Sequence, residues 1–132
     1  NGGYDRHMTT DYRFSVQVET AYLADQSSEE DERYAFSYTV TITNTGSVAA
    51  QLISRHWIIT DANNSVNEVK GLGVIGEQPL LQPNETFTYT SGTVISTAVG
   101  QMHGSYQMVA VDGTSFEAPI APFTLAAPRV LH

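Results

Sequence analysis

The sequence contains no cysteine, which excludes disulfides, thiolate nucleophiles, cysteine-bound zinc and iron–sulfur clusters together, and fits a reducing compartment. Basic residues are also scarce: six Lys and Arg stand against 14 Asp and Glu, a formal net charge of -8. The few cations are scattered singly, and a field of this sign repels phosphate backbones and anionic lipid surfaces. Neither nucleic acid nor a membrane is therefore an expected partner. No apolar run reaches the length of about 18 residues that a membrane helix needs, and the start lacks the basic and apolar segments of a signal peptide. The expected location is cytoplasmic.

A chain of 132 residues is long enough for one domain with a substantial core and too short for two. The opening NGGYDRHM does not read like the rest of the chain, and His7-Met8 is a dipeptide encoded by a common cloning site. Residues 1–7 are therefore expected to be appended, with a single domain over 8–132.

Helical periodicity is missing and alternation of period two takes its place. Tyr12 to Leu23 alternates Phe14, Val16 and Val18 with polar residues, and Tyr34 to Asn44 alternates Phe36, Tyr38, Val40 and Ile42 with serine and threonine. Between them Asp25 to Arg33 carries five carboxylates without periodicity and reads as a solvated loop. Gln51 to Asp61 is a third strand, with Ile53, Arg55, Trp57 and Ile59 on the expected core face. Arg55 fits that face only near the sheet's end or beside a bulge. Val66 to Leu72 comes after a DANNS turn, Glu85 to Tyr89 alternates again, and Ser91 to Gly104 is expected to cross between sheets. Ser105 to Val111 and Ser115 to Leu125 flank an Asp112-Gly113 hairpin signal, and Pro119 and Pro122 place the last strand at an edge. About seven short strands predict an all-β, immunoglobulin-like two-sheet antiparallel sandwich of the fibronectin type III kind, with a small barrel as runner-up. Trp57 and Tyr106 are expected to be structural, Tyr106 as a corner tyrosine.

Gly71, Gly73 and Gly76 spell GxGxxG, but EQPLLQP comes next and denies the motif the helix that a dinucleotide site requires. An anion nest in the glycine turn is a different use of the same residues. The histidines His56 and His103 have no ligand partner at helical spacing, so no metal site and no cofactor are expected. Arg55 and His56 are adjacent on a strand and point to opposite faces, so they share one small ligand only if the strand bulges. There is no GxSxG elbow, and Ser91, Ser96 and His103 show no activating spacing. Asp61, Glu68 and Glu77 make a carboxylate site only if distant strands bring them together.

Four segments then carry a resemblance: RHWIITD from Arg55, EVKGLGVIGEQPLLQPNE from Glu68, YTSGTVISTAVGQMHGSYQM from Tyr89 and FEAPIAPFTLAAP from Phe116. Together they resemble the ApaG family of small bacterial proteins over Tyr12 to Pro128. Arg55, His56 and Trp57 stand at the family's RHW, and Gly71, Gly73 and Gly76 at its glycine loop. Departures are small: Asn64-Ser65 replaces a usual Asn-Gly turn, Asn84 replaces a glycine, and Ala98 replaces a proline. The resemblance implies a fibronectin type III-like sandwich. Related domains in eukaryotic F-box proteins and in a polymerase-interacting protein look like protein-binding modules. The alternative name CorD implies an association with cobalt resistance and magnesium efflux, and a dinucleoside tetraphosphate hydrolase is often encoded nearby.

The expected function is a non-enzymatic protein-interaction module with an unidentified protein partner, self-association included, associated with divalent cation handling. The alternative is a small-ligand domain that takes a nucleotide, pyrophosphate or divalent cation at the glycine loop. Candidate residues for either are Arg55, His56, Lys70, Gly71, Leu72, Gly73, Val74, Ile75 and Gly76. Leu80, Met102 and Tyr106 join Leu72, Val74 and Ile75 as candidates for an exposed apolar patch.

Overall fold

The computed structural model describes residues 11–128, so the expectation about residues 1–7 lies outside the described residues. Eight strands succeed one another as β1 (Phe14–Tyr22), β2 (Tyr34–Asn44), β3 (Ala50–Asp61), β4 (Val66–Leu72), β5 (Leu80–Leu81), β6 (Thr86–Ile95), β7 (Val99–Ala110) and β8 (Ser115–Ala126). They form two antiparallel sheets, a three-stranded one ordered β1-β2-β6 and a five-stranded one ordered β4-β3-β7-β8 with β5 also paired to β3. The arrangement is the expected sandwich; the barrel is set aside because the strands fall into two separate sheets.

The core lies between the sheets. Phe36, Tyr38, Val40 and Ile42 of β2 face inward at every second position, as their alternation predicts, against Leu52, Trp57, Met102, Tyr106 and Met108 of the other sheet. The parity of β3 changes along its length. Leu52 is buried although it sits on the opposite parity from Trp57 and Ile59, because the register with β7 shifts between Leu52 and Ser54. The bulge inserts one residue and moves the inward face from even to odd numbers, so that Ala50 and Leu52 share it with Trp57 and Ile59, while Arg55 lies on it by simple alternation with Trp57.

Three sequence expectations need correction. The strand read as Glu85 to Tyr89 continues to Ile95, and the crossing expected over Ser91 to Gly104 shrinks to residues 96–98. The acidic segment is an exposed loop as expected, closed by the isolated bridge Ser28↔Arg33 and preceded by the 3-10 turn Ala24–Gln26. Tyr106 is no corner tyrosine: it lies well inside β7, fully buried, and its hydroxyl meets that of Tyr89 at 2.5 Å. Pro119 and Pro122 do fall on an edge strand, β8, as predicted.

One buried polar residue ties the sandwich end together. Asn44 is fully buried and its Nδ2 donates to the carbonyls of Val48 and Leu81, both at 3.0 Å, while its Oδ1 accepts from the Gly46 amide at 2.9 Å. The side chain read as ordinary turn chemistry therefore pins the β2–β3 turn to β5.

Candidate functional site

The β4–β5 connection is a rigid turn. The Val74 amide donates to the Glu77 carbonyl at 2.8 Å and the Glu77 amide donates back to Val74 at 2.9 Å, closing a two-residue loop over Ile75 and Gly76. Both central residues have positive φ, 44° and 80°, the signature of a type I′ hairpin turn. Gly73, at φ 62°, leads into it, and a Cβ there would lie 2.3 Å from the Glu77 carbonyl oxygen. The Gly73 amide is held by the Ile53 carbonyl at 2.8 Å. Three amides of the glycine segment are thus engaged within the fold, which leaves little of the consecutive free N–H array that an anion nest requires.

The turn divides its apolar residues. Val74 is fully buried and Leu81 nearly so, whereas Leu72, Ile75 and Leu80 are 75%, 54% and 50% exposed. Leu72 pairs with Ser54 and Leu80 with Gln51, both on the same edge of β3 and both on the outer face of the five-stranded sheet. Met102 and Tyr106, candidates for the same patch, are wholly buried because they occupy inward positions of β7.

Beside these residues the outer face carries an open cavity of about 450 Å³, lined on β3 and β4 by Ser54, Arg55, His56, Lys70, Gly71 and Leu72. Gln107 of β7 and Glu117 of β8 complete it. Five of the residues singled out from sequence, Arg55, His56, Lys70, Gly71 and Leu72, therefore meet there, while Gly73 and Val74 lie buried behind it and Ile75 and Gly76 stand at the turn tip. Arg55 and His56 line this one cavity despite opposite strand faces. The guanidinium lies flat across Gly71, where a Cβ would come within 2.9 Å of both Nη atoms, and Nη1 donates to the carbonyls of Leu72 at 3.0 Å and Gly73 at 2.9 Å. A side chain at 71 would displace the guanidinium from this position.

Electrostatics on the outer face run as short chains. His56 Nε2 and Glu68 Oε2 meet at 2.5 Å. Ser54 donates to Gln107 Oε1 at 2.7 Å, and Gln107 Nε2 donates to Ser105 Oγ at 2.9 Å and to Glu117 Oε2 at 3.3 Å. Ser54, Gln107 and Glu117 escape a reading of sequence because only the β3–β7 and β7–β8 registers align them.

Catalytic constellations considered from sequence are not assembled. Asp61 is committed to a turn: its carboxylate accepts from the amides of Asn63 and Ser65 and from Ser96 Oγ, which hold its carboxyl below the usual range. Glu77 stands beyond the other end of β4, seven residues at about 3.3 Å each from the Asp61 turn. Among the described residues no group of three His, Cys, Asp or Glu side chains is placed to hold a metal ion. No helix among them is long and apolar enough to cross a membrane.

Trp57 and Tyr106 lie buried in the core. The indole packs edge-on against Tyr38, Tyr106 and Phe123 at ring-centroid distances of 5.3, 6.3 and 5.9 Å, joining the two sheets. Burial pushes the Tyr89 hydroxyl up to about 12, and raises that of Tyr106 further.

This combination of a two-sheet antiparallel sandwich, a glycine-bearing hairpin turn and an outer-face cavity defines a β-sandwich domain of the fibronectin type III kind. The sequence model of the ApaG domain matches residues 24–110, and the chain belongs to the ApaG family, whose molecular function is unassigned. Protein ApaG of Methylobacillus flagellatus is 65% identical over 127 residues, covering 95% of this chain and 100% of that protein. Protein ApaG of Thiobacillus denitrificans is 64% identical over 121 residues, covering 92% and 95%. A crystal structure of a Bordetella pertussis protein named ApaA superposes with a TM-score of 0.88 at 54% identity, over 92% of this chain and 98% of that one.

Proposed function

We propose that the domain is a non-enzymatic protein-interaction module that presents the β4–β5 turn, with Leu72 and Leu80 beside it, to a protein partner. The observation that carries the reading is Ile75. A β-branched side chain at positive φ costs about 1–2 kcal/mol relative to the ordinary backbone region, a cost that asparagine or glycine largely avoids. Here the strained residue is also more than half exposed at the tip of a rigid turn, so packing within the domain does not repay it. Strain of this kind is characteristic of positions kept for binding. Two exposed leucines, Leu72 and Leu80, flank the turn on either side and add to its apolar surface. On this reading any influence on cobalt or magnesium handling is exerted through the partner.

The test is site-specific photo-crosslinking in cells of the source organism. A crosslinker at Ile75 is expected to give a discrete protein adduct that Leu72→Asp abolishes, while the same group at Val94 on the three-stranded sheet gives none. No adduct from Ile75, or the same adducts from both positions, would overturn the reading.

A further inference from the structure

The second concavity of the molecule lies on its open side, between edge strands β4 and β6, where the two sheets part. It is a cleft of about 210 Å³ walled by Asn67 and Val69 of β4 and by Ser91 and Thr93 of β6. The registers explain why it stays open. Asn67, Val69 and Gly71 pair with the inward-facing Ile59, Trp57 and Arg55, and Ser91 and Thr93 pair with the inward-facing Tyr38 and Phe36. All five are themselves inward positions, and apart from Val69 all are small or polar. Large aliphatic groups there would close the sandwich over its floor, as they do elsewhere in the core.

Two side chains of the floor, Trp57 and Arg55, carry polar groups that only donate. Trp57 is 1% exposed, and its Nε1–H has no partner among the described residues. An indole nitrogen is a donor only, and leaving one buried and unpaired costs about 1–3 kcal/mol. Arg55, half-buried beside it, spends Nη1 on two backbone carbonyls and has no carboxylate within ion-pair distance among the described residues. Its charge reaches the interior, where it opposes the effect of burial on both Tyr89 and Tyr106. A guanidinium has five N–H groups in a planar fork that matches a carboxylate. Ser91, Thr93 and Asn67 add neutral donors at the rim.

We propose that this cleft binds a carboxylate carried on a short apolar stem, held by the free side of the Arg55 guanidinium and by the Ser91 and Thr93 hydroxyls, over the Trp57 indole. One cation with neutral donors suits a monoanion. A phosphate dianion would call for a second cation, and Lys70, the nearest candidate in sequence, pairs with His56 on the opposite face of the sheet. Ile59, Val69 and the Tyr38 ring supply apolar walls for the stem, and the volume admits a few heavy atoms. The carboxylate belongs either to a free short-chain acid or to the last residue of a peptide chain. The site is separate from the partner surface at Ile75 and does not depend on it.

Trp57 is the sole tryptophan, so its indole N–H gives a single isolated proton–nitrogen resonance in the labelled protein. The probes are butyrate, N-acetylvaline, N-acetylvalinamide and inorganic phosphate, each titrated against the full chain. The resonance is expected to shift and to saturate with the two carboxylates, because the indole lies against the cleft, and to stay in place with the amide and with phosphate. Tighter binding of butyrate assigns a free acid, and tighter binding of N-acetylvaline a chain terminus. Arg55→Gln should abolish the shift. Ser91→Leu, which fills the cleft from β6 and leaves Arg55 and Trp57 in place, should weaken binding at least about tenfold, the equivalent of one well-placed hydrogen bond. A resonance that no carboxylate moves, a shift with phosphate as large as with carboxylate, or undiminished binding by Ser91→Leu would each overturn the proposal.

Discussion

At the scale of single residues, the buried phenols show how the core sets a pH limit on the fold. Tyr89 and Tyr106 share one hydrogen bond between their hydroxyls in a site where ionisation is disfavoured by burial, and Tyr89 is raised to about 12. Its folded pKa therefore lies above the unfolded value near 10, so the folded state holds the proton that the unfolded state releases. The contribution to stability is complete below about pH 10 and declines as pH rises toward 12, by about 2 kcal/mol for this group alone. Urea midpoints measured from pH 8 to pH 11.5 should fall across that upper window, and Tyr89→Phe should flatten the fall. A midpoint that rises with pH there would contradict the assignment. The role of this pair was hidden in the sequence, where Tyr106 is one of seven tyrosines and nothing marks it as the partner of Tyr89. Asn44 was hidden in the same way: its turn chemistry is legible, but its three hydrogen bonds depend on Leu81 arriving from a distant segment.

At the scale of elements, strands were legible wherever one face is apolar and the other polar. The bounds of β2 emerge from alternation unchanged, and the two prolines of β8 correctly mark an edge. Alternation failed in the first half of β3 because a bulge changes the phase; Arg55 on the apolar face hinted at an irregularity, but only the register with β7 places it between Leu52 and Ser54. It also missed the continuation of β6 past Tyr89, where Ser91, Gly92 and Thr93 look like loop chemistry because the cleft replaces the core beneath them. The β4–β5 turn offers a direct test of stored strain. Replacing Ile75 by asparagine, which tolerates positive φ, should raise unfolding stability by about 1 kcal/mol in denaturant titration. A loss of stability would mean that Ile75 packs more tightly within the domain than its exposure implies.

At the scale of the whole molecule, one core serves both sheets. Trp57 of the five-stranded sheet meets Tyr38 of the three-stranded sheet edge to face, and Phe14, Phe36 and Ile42 reach the same cluster as Leu52 and Met108. Unfolding should accordingly be a single event: the denaturation curve from Trp57 fluorescence and the curve from far-ultraviolet circular dichroism should coincide. Separated midpoints would show that the sheets melt independently. Fold class and family were both within reach of the sequence, since they rest on alternation and on local motifs. The outer-face cavity and the cleft were only half legible. Arg55, His56, Lys70 and the glycines could be named, but which face each addresses depends on strand order and register.

The two margins of the larger sheet are unequal. Along β8, Pro119 and Pro122 lack the amide hydrogens that an incoming strand would need, whereas β4 from Val66 to Leu72 contains no proline. Recruitment of further strands to this sheet is therefore favoured at one margin only. Two copies joined there, margin to margin, would use up the growing point of each, so the molecule can pair through this sheet but is poorly suited to propagate into a filament.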